Sequence, residues 1–194
     1  MSRRADIARK TGETDVRLLL ELDGTGEGER ETGVGFFDHM LDAVARHGGL
    51  DLDVRVDGDL QTGPHHTVED TGLAFGAALD EALGDRAGIE RYGHAVVVMD
   101  EARASAAVDL SGRPYTAFAA SVPAVRIGDF DADLAEEFFR AVANSAKLTL
   151  HLRLEAGTNT HHMVEALFKA FARALRAAVA ETGSGAVPST KGVL

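Results

Sequence analysis

Cysteine is absent from the 194-residue chain. That excludes disulfides, thiolate metal sites and a cysteine nucleophile together. Any metal must therefore sit on His, Asp or Glu. No run of about 20 apolar residues occurs, so no membrane-spanning helix and no membrane partner are expected. The segment Met1 to Asp15 is charged and lacks an apolar stretch of signal-peptide length, which makes the cytoplasm the default location. Basic residues are scarce. There are 20 Lys and Arg against 31 Asp and Glu, a formal net charge of -11. Phosphate-backbone binding needs clustered Lys and Arg, so nucleic acid is not an expected partner. Hydrophobic residues make up 45%, enough to bury a sizeable core in one domain.

What is present shows clear periodicity. Thr14 to Leu22 alternates Val16, Leu18, Leu20 and Leu22 and predicts a strand. Asp23 to Gly28 predicts a turn or hairpin loop. Phe36 to Arg46 predicts a helix ending at Gly48-Gly49. Leu50 to Asp57 alternates again and predicts a half-buried strand. Further helices are expected over His65 to Leu83, Asp131 to Ala146 and Thr160 to Glu181. Strands are expected within Ala95 to Leu110, over Tyr115 to Val122 and over Leu148 to Leu154. The Gly-, Ser- and Pro-rich tail from Thr182 to Leu194 is expected to be mobile when unliganded.

The second half echoes the first. At a constant offset, His65, His66, Val68, Glu69, Ala74, Phe75, Ala78, Leu79 and Ala82 match His161, His162, Val164, Glu165, Ala170, Phe171, Ala174, Leu175 and Ala178. Upstream, with a short loop allowed, Ala43-Val44-Ala45, Leu50, Leu52 and Arg55 match Ala141-Val142-Ala143, Leu148, Leu150 and Arg153. A helix-strand-loop-helix unit thus occurs twice. Two similar α+β halves packed face to face would cover each other's apolar stripes.

Each half opens its last helix with His-His-x-x-Glu. Adjacent histidines lie about 100° apart on a helix, so they serve one ion poorly. Glu69 and Glu165 lie three and four residues from their histidines and are close to both. Two motifs brought together offer imidazole nitrogen and carboxylate oxygen to two ions. That donor set suits Mn, Fe, Zn or Ni. The alternative is two exposed polar helix starts, which the matching repeat positions disfavour. His39 and its repeat counterpart Glu137 are further ligand candidates, against a hydrogen-bonded structural role. His47, before Gly48-Gly49, is either a substrate contact or a helix cap. Arg91, Arg113 and Lys191 could clamp a phosphate, Arg through a bidentate fork, or simply solvate the surface. The Gly24 to Gly28 loop lacks the Gly-Lys-Ser/Thr of a nucleotide-binding loop.

Several stretches together resemble one family, imidazoleglycerol-phosphate dehydratase of histidine biosynthesis. They are Phe36 to Asp42, His65 to Asp70, Asp109 to Tyr115, Thr149 to His151, His161 to Ala170 and Pro188 to Leu194. The resemblance runs through nearly the whole chain, in order. It implies an α+β fold of two pseudo-repeats, each a four-stranded sheet with two helices, like the second domain of ribosomal protein S5, with the helices packed between the sheets. It implies a single dehydratase domain over 1–194, with repeats at about 1–92 and 93–181 and a tail at 182–194. The implied reaction dehydrates imidazole glycerol phosphate, a small phosphate ester, to imidazole acetol phosphate and water. The implied route passes through a metal-stabilised imidazolate or diazafulvene-like intermediate.

The implied cofactor is Mn(II), two ions per active site. One ion would be held by His39, His65, His161 and Glu165, the other by His66, Glu69, His162 and residue 137. Glu13, with His65 and Glu165, would carry the chemistry, Glu13 as the acid/base group. Substrate contacts would come from Glu13, His39, His47, His65, Glu69, Arg91, Arg113, His161, Lys169, Ser189, Thr190 and Lys191. The assembly would be a homo-oligomer of twenty-four subunits built from trimers, with intersubunit sites. Two departures stand out. Glu137 occupies a position where some members carry His, and a carboxylate still ligates Mn(II). Gly63 stands where many members have an acidic residue that would orient a ligand. Competing readings are a di-metal hydrolase using a bridging water, and a non-catalytic metal-storage oligomer.

Overall fold

A computed structural model describes residues 3–192 and 194; Val193 of the tail match lies outside them. The chain runs β1 (Arg4–Lys10), β2 (Thr14–Glu21), β3 (Arg30–Glu31), α1 (Gly35–Gly48), β4 (Asp51–Gly58), a 3-10 turn (Leu60–Thr62) and α2 (His65–Leu83). It continues through β5 (Tyr92–Met99), β6 (Ala102–Asp109), β7 (Tyr115–Ala119), β8 (Arg126–Ile127), β9 (Phe130–Asp131), α3 (Leu134–Ser145), β10 (Thr149–Ala156) and α4 (Thr160–Val179). Two four-stranded sheets have the orders β1-β2-β4-β3 and β5-β6-β10-β7. In both, the last strand pairs parallel and the others antiparallel. The expected α+β architecture of two like sheets is thus observed.

Period-two alternation sets which face of each sheet is inside. Val16, Leu18 and Leu20 lie opposite Val56, Val54 and Leu52, all buried. Leu150 and Leu152 lie opposite Val108 and Ala106, likewise buried. The helices fill the space between these faces. Each repeat's second helix covers its own sheet, whereas α1 packs on α4 and α3 on α2. Phe75, Phe138, Phe139, Phe168 and Phe171 are fully buried among the helices. Phe139 and Phe168 approach to 4.6 Å between ring centroids. Each such ring contributes on the order of 1.5–3 kcal/mol by burial.

The exchange of helices has a consequence for packing. A Cβ added at Gly76 of α2 would lie 2.6 Å from the Val142 carbonyl oxygen of α3 and 2.8 Å from the nitrogen of Ala146, which caps that helix. Backbone cannot yield there as a flexible side chain can. Gly76→Val gains less than about 1 kcal/mol of helix propensity and loses about 1–3 kcal/mol to overpacking. A lowered urea midpoint with an unchanged slope is the expected result.

Several elements depart from the periodicity-based expectation. β1 is unannounced because Arg4–Lys10 sets only Ala5, Ile7 and Ala8 among charged residues, without alternation; it is a half-exposed edge strand on β2. Asp23 to Gly28 is not a hairpin. It crosses to β3, which pairs with β4. Asp51 Oδ1 anchors it by accepting N–H groups of Thr25 (2.7 Å), Gly26 (3.1 Å) and Glu27 (3.0 Å). β7 stops at Ala119 rather than Val122. Asp131 belongs to the β8–β9 pair, so α3 begins at Leu134. Buried Phe130 explains the extended pairing, since its ring packs against Phe36 and Phe37. Among the described residues no helix is long and apolar enough to cross a membrane.

The hydrogen bonds from Thr25, Glu27 and Gly26 hold the Asp51 carboxyl below the usual carboxylate range. A lowered native pKa means that this stabilisation is fully present above the unfolded carboxylate's pKa and lost as pH falls through the native value. The stability gap between the parent and Asp51→Asn should therefore close on acidification below the ordinary carboxylate range. A gap that stays constant from neutral pH into that range would remove the linkage.

Candidate metal centre and active site

Both His-His-x-x-Glu motifs sit at helix N-termini, His65 opening α2 and His161 following the first residue of α4. The two rings of each pair diverge. His65 and His66 are 86° apart in plane and His161 and His162 are 82° apart. The first histidine of each pair turns back along its helix to its glutamate. His65 Nε2 lies 3.6 Å from Glu69 Oε2, and His161 Nε2 lies 3.1 Å from Glu165 Oε2. This is the i,i+4 meeting that the spacing predicts.

The exchange of helices then adds one residue to the second motif. Because α1 packs on α4, His39 Nε2 reaches Glu165 Oε2 at 3.5 Å. His39, His161 and Glu165 offer ligand atoms that all lie within 4.8 Å of one another. Metal–ligand bonds of roughly 2.0–2.2 Å would span such a group. Phe36 stands edge-on to His161 at 4.9 Å and walls the cluster. Glu165 is only 4% exposed. Burial pushes its carboxyl up, but the hydrogen bond and charge of Lys169 at 2.5 Å, with His39 and His161, bring it below the ordinary value.

The same exchange puts half-buried Glu137 on α3, alongside the α2 helix that carries His65 and Glu69. Glu137 joins no cluster of three possible ligand groups among the described residues. Nor does the chain bring its two motifs into one cluster. Each stays at its own helix start.

The second histidine of each pair turns the other way, toward strands. His66 Nδ1 lies 3.1 Å from both carboxylate oxygens of Asp59. His162 Nδ1 lies 2.8 Å from Glu101 Oε2, in the β5–β6 turn. Neither carboxylate belongs to a recognisable motif, and sequence reading missed both. Asp59 lies upstream of Gly63, beyond the 3-10 turn. The hydrogen bond to Asp59 raises the His66 imidazole above its ordinary value, and that to Glu101 does the same for His162. Hydrogen bonds from His162 and the Asn159 and Thr158 backbone hold Glu101 far below the carboxylate range. Gly63 has φ +116, a left-handed conformation that disfavours any side chain, so an acidic residue would be strained on this loop.

Glu13 occupies the β1–β2 turn, half-exposed, with Oε1 3.6 Å from His66 Nε2. Its turn is firmly tied. The Glu13 N–H donates to Thr11 Oγ1 at 3.1 Å, and the Asp59 N–H donates to the Glu13 carbonyl at 3.0 Å. Buried Asp70 accepts from Thr14 Oγ1 and from Arg9 Nε at 2.9 Å, pinning both strand ends to α2.

The basic residues gather elsewhere. Arg91 donates to Asp109 through Nε (2.7 Å) and Nη2 (3.2 Å), and through Nη1 to the Pro188 carbonyl (2.8 Å). Arg113 Nη2 faces the same Asp109 at 3.9 Å. The tail is laid against this point. The Gly88 N–H donates to the Ala186 carbonyl at 2.8 Å, the Thr182 N–H donates to the Gly88 carbonyl at 2.8 Å, and Ser189 Oγ accepts the Lys191 N–H at 3.2 Å. Ser189, Thr190 and Lys191 thus stand close in sequence to the carbonyl that Arg91 grips. His47 is half-buried at the end of α1, where burial and then Lys169 and Arg173 push its imidazole down.

Arg91 immediately precedes β5, and Glu101 follows it. Eight residues at about 3.3 Å each separate the ends of that strand by roughly 25 Å. Within one chain, the Arg91–Asp109–Arg113 group and the His162 end of the second His-His-x-x-Glu motif therefore lie at opposite ends of a sheet.

The sequence model of one family, described as imidazoleglycerol-phosphate dehydratase, matches residues 32–175. A protein of that name from Gluconobacter oxydans is 54% identical over 195 residues, covering all of this chain and 98% of that one. Another from Symbiobacterium thermophilum is 59% identical over 189 residues, covering 97% of this chain and 91% of that one. The crystal structure of the Staphylococcus aureus dehydratase has a TM-score of 0.84 at 41% identity, covering 92% of this chain and 99% of that one. The Pyrococcus furiosus structure has a TM-score of 0.84 at 37% identity, covering 97% and 100%.

Proposed function

The chain belongs to the imidazoleglycerol-phosphate dehydratase family, and on that premise we propose that it is a metal-dependent hydro-lyase. It removes water from imidazole glycerol phosphate to give imidazole acetol phosphate in histidine biosynthesis. The convergence of His39, His161 and buried Glu165 carries the metal-dependent part of this reading. Imidazole and carboxylate donors without sulfur fit Mn(II). His39, His65, His161 and Glu165 would hold one ion, and His66, Glu69, His162 and Glu137 the other. Such ions, when bound, supply Lewis acidity toward an imidazole nitrogen of the substrate.

The chain's own groups account for the remaining requirements. Glu13, a carboxylate on a braced turn beside His66, would accept a carbon-bound hydrogen as a proton. Arg113 would offer its guanidinium to a phosphate, and Arg91, whose fork is on Asp109, its remaining N–H groups, with Ser189, Thr190 and Lys191 of the tail beside Arg91. Asp109 orients both arginines. Lys169 keeps Glu165 ionised in a buried setting, and His47 lies near Lys169 at the edge of the same region.

A three-carbon phosphate ester cannot bridge roughly 25 Å of strand. One substrate can meet both the metal ligands and the arginines only if different subunits supply them. That separation supports sites shared between subunits. It also supports pairing one subunit's first motif with a neighbour's second, since the chain keeps its own two apart. The assembly proposed is the twenty-four-subunit one built from trimers, acting in the cytoplasm on a small phosphate ester, with neither nucleic acid nor membrane as partner.

Chelated protein should lose turnover of imidazole glycerol phosphate and regain it on adding Mn(II), with no phosphate released at any stage. Phosphate release would instead identify a hydrolase. Metal-stripped protein that still dehydrates, or that Mn(II) fails to restore, would overturn the proposal.

A further inference from the structure

A neutral imidazole has one N–H and one lone pair, and only the lone pair can bind a metal. Which nitrogen keeps it depends on the partner of the other nitrogen. Glu101 Oε1 is committed to the backbone, accepting the N–H groups of Asn159 at 2.7 Å and Thr158 at 3.0 Å. Its Oε2 is left facing His162 Nδ1 at 2.8 Å. An ionised carboxylate can only accept, so Nδ1 must carry the hydrogen and Nε2 keeps its lone pair. Asp59 faces His66 Nδ1 in the same sense, with Oδ2 also accepting from Thr62 Oγ1 at 3.0 Å.

The two carboxylates come from unlike places. Asp59 follows β4 ahead of the 3-10 turn, and Glu101 lies in the β5–β6 turn. The duplication therefore did not supply them as a matched pair, yet each arrives at the same nitrogen of the second histidine. We propose that Glu101 is a positioning residue that holds His162 with Nε2 free for metal, and that Asp59 does the same for His66. This rests on the metal-site reading above. Asp59 thereby takes the orienting task that an acidic residue at position 63 would otherwise perform.

Glu101→Gln separates this role from a merely structural one. The side-chain oxygen must stay on the two backbone N–H groups, so the loop before α4 is kept. The new NH2 then faces Nδ1 and can only donate. That forces the hydrogen to Nε2 and blocks the metal. Glu101→Ala loses the loop contacts and the ring contact together. Mn(II) would be titrated into metal-free protein and read by the electron paramagnetic resonance of free Mn(II), with the metal-free melting temperature measured alongside. The expected result is an unchanged melting temperature for Glu101→Gln and Mn(II) affinity lowered by about 10–100-fold, the usual effect of losing such a partner. Affinity equal to the parent's in Glu101→Gln, with loss only in Glu101→Ala, would overturn the inference and leave the metal site standing. Should Glu101→Gln not fold, Asp59→Ala, which takes both carboxylate oxygens from His66 Nδ1, carries the test to His66: lowered Mn(II) affinity at an unchanged melting temperature is expected, and parental affinity would overturn the inference. A parent protein that binds no Mn(II) would instead sink the metal reading itself.

Discussion

Glu13→Gln should bind imidazole glycerol phosphate with nearly the parent's KM and turn it over about 10²–10⁴-fold more slowly, the usual weight of a general acid or base. The turn that carries Glu13 is held through main-chain atoms and through Thr11, Thr14 and Asp70, not through its own carboxylate. Gln keeps the length and shape of the side chain, so the turn should be unaltered. What it loses is the ability to take a proton. A fall confined to kcat marks an interaction made only in the transition state. Steady-state kinetics check this, and near-parental kcat would remove Glu13 from the acid/base role.

The second large effect is expected at Glu165. Its carboxylate meets Lys169 at 2.5 Å, His161 at 3.1 Å and His39 at 3.5 Å while only 4% of the residue is exposed. Glu165→Gln keeps the volume but removes the charge that both Lys169 and a divalent ion would need. Loss of an outer partner typically costs about 10–100-fold in metal affinity, and loss of a ligand at the hub of the cluster should exceed that. Equilibrium dialysis with Mn(II) should show fewer bound ions per chain, and dehydration should fall with them. Parental stoichiometry and affinity would remove Glu165 from the ligand set.

Helix existence and type were legible along the chain. α2 spans the predicted His65 to Leu83, because its apolar period is unbroken and its ends are marked. The duplication was legible too, and the two sheets share one strand order and one pattern of directions. The missed strands are short or charged. β1 carries little alternation, and β3, β8 and β9 are two-residue pairings. Such elements exist because a neighbouring backbone offers hydrogen bonds: β2 for β1, β4 for β3, and β8 and β9 for each other. The tail's hydrogen bonds to Gly88 and Arg91 come from residues distant in sequence, which no spacing within the tail announces.

The His-His-x-x-Glu motifs show where the boundary falls. Sequence by itself determined the donor types, their splay around a helix and the meeting of each first histidine with its glutamate, since local geometry follows from helical spacing. It also tied His39 to Glu137 through the repeat. Only tertiary structure decided that α1 crosses to α4, which delivers His39 to His161 and Glu165 rather than to the nearer motif. Only tertiary structure placed Asp59 and Glu101 on the second histidines, and set the arginines a strand's length away. Those outcomes depend on which helix faces which sheet and where each turn ends. Packing of the whole chain settles such matters, and no spacing within a segment encodes them.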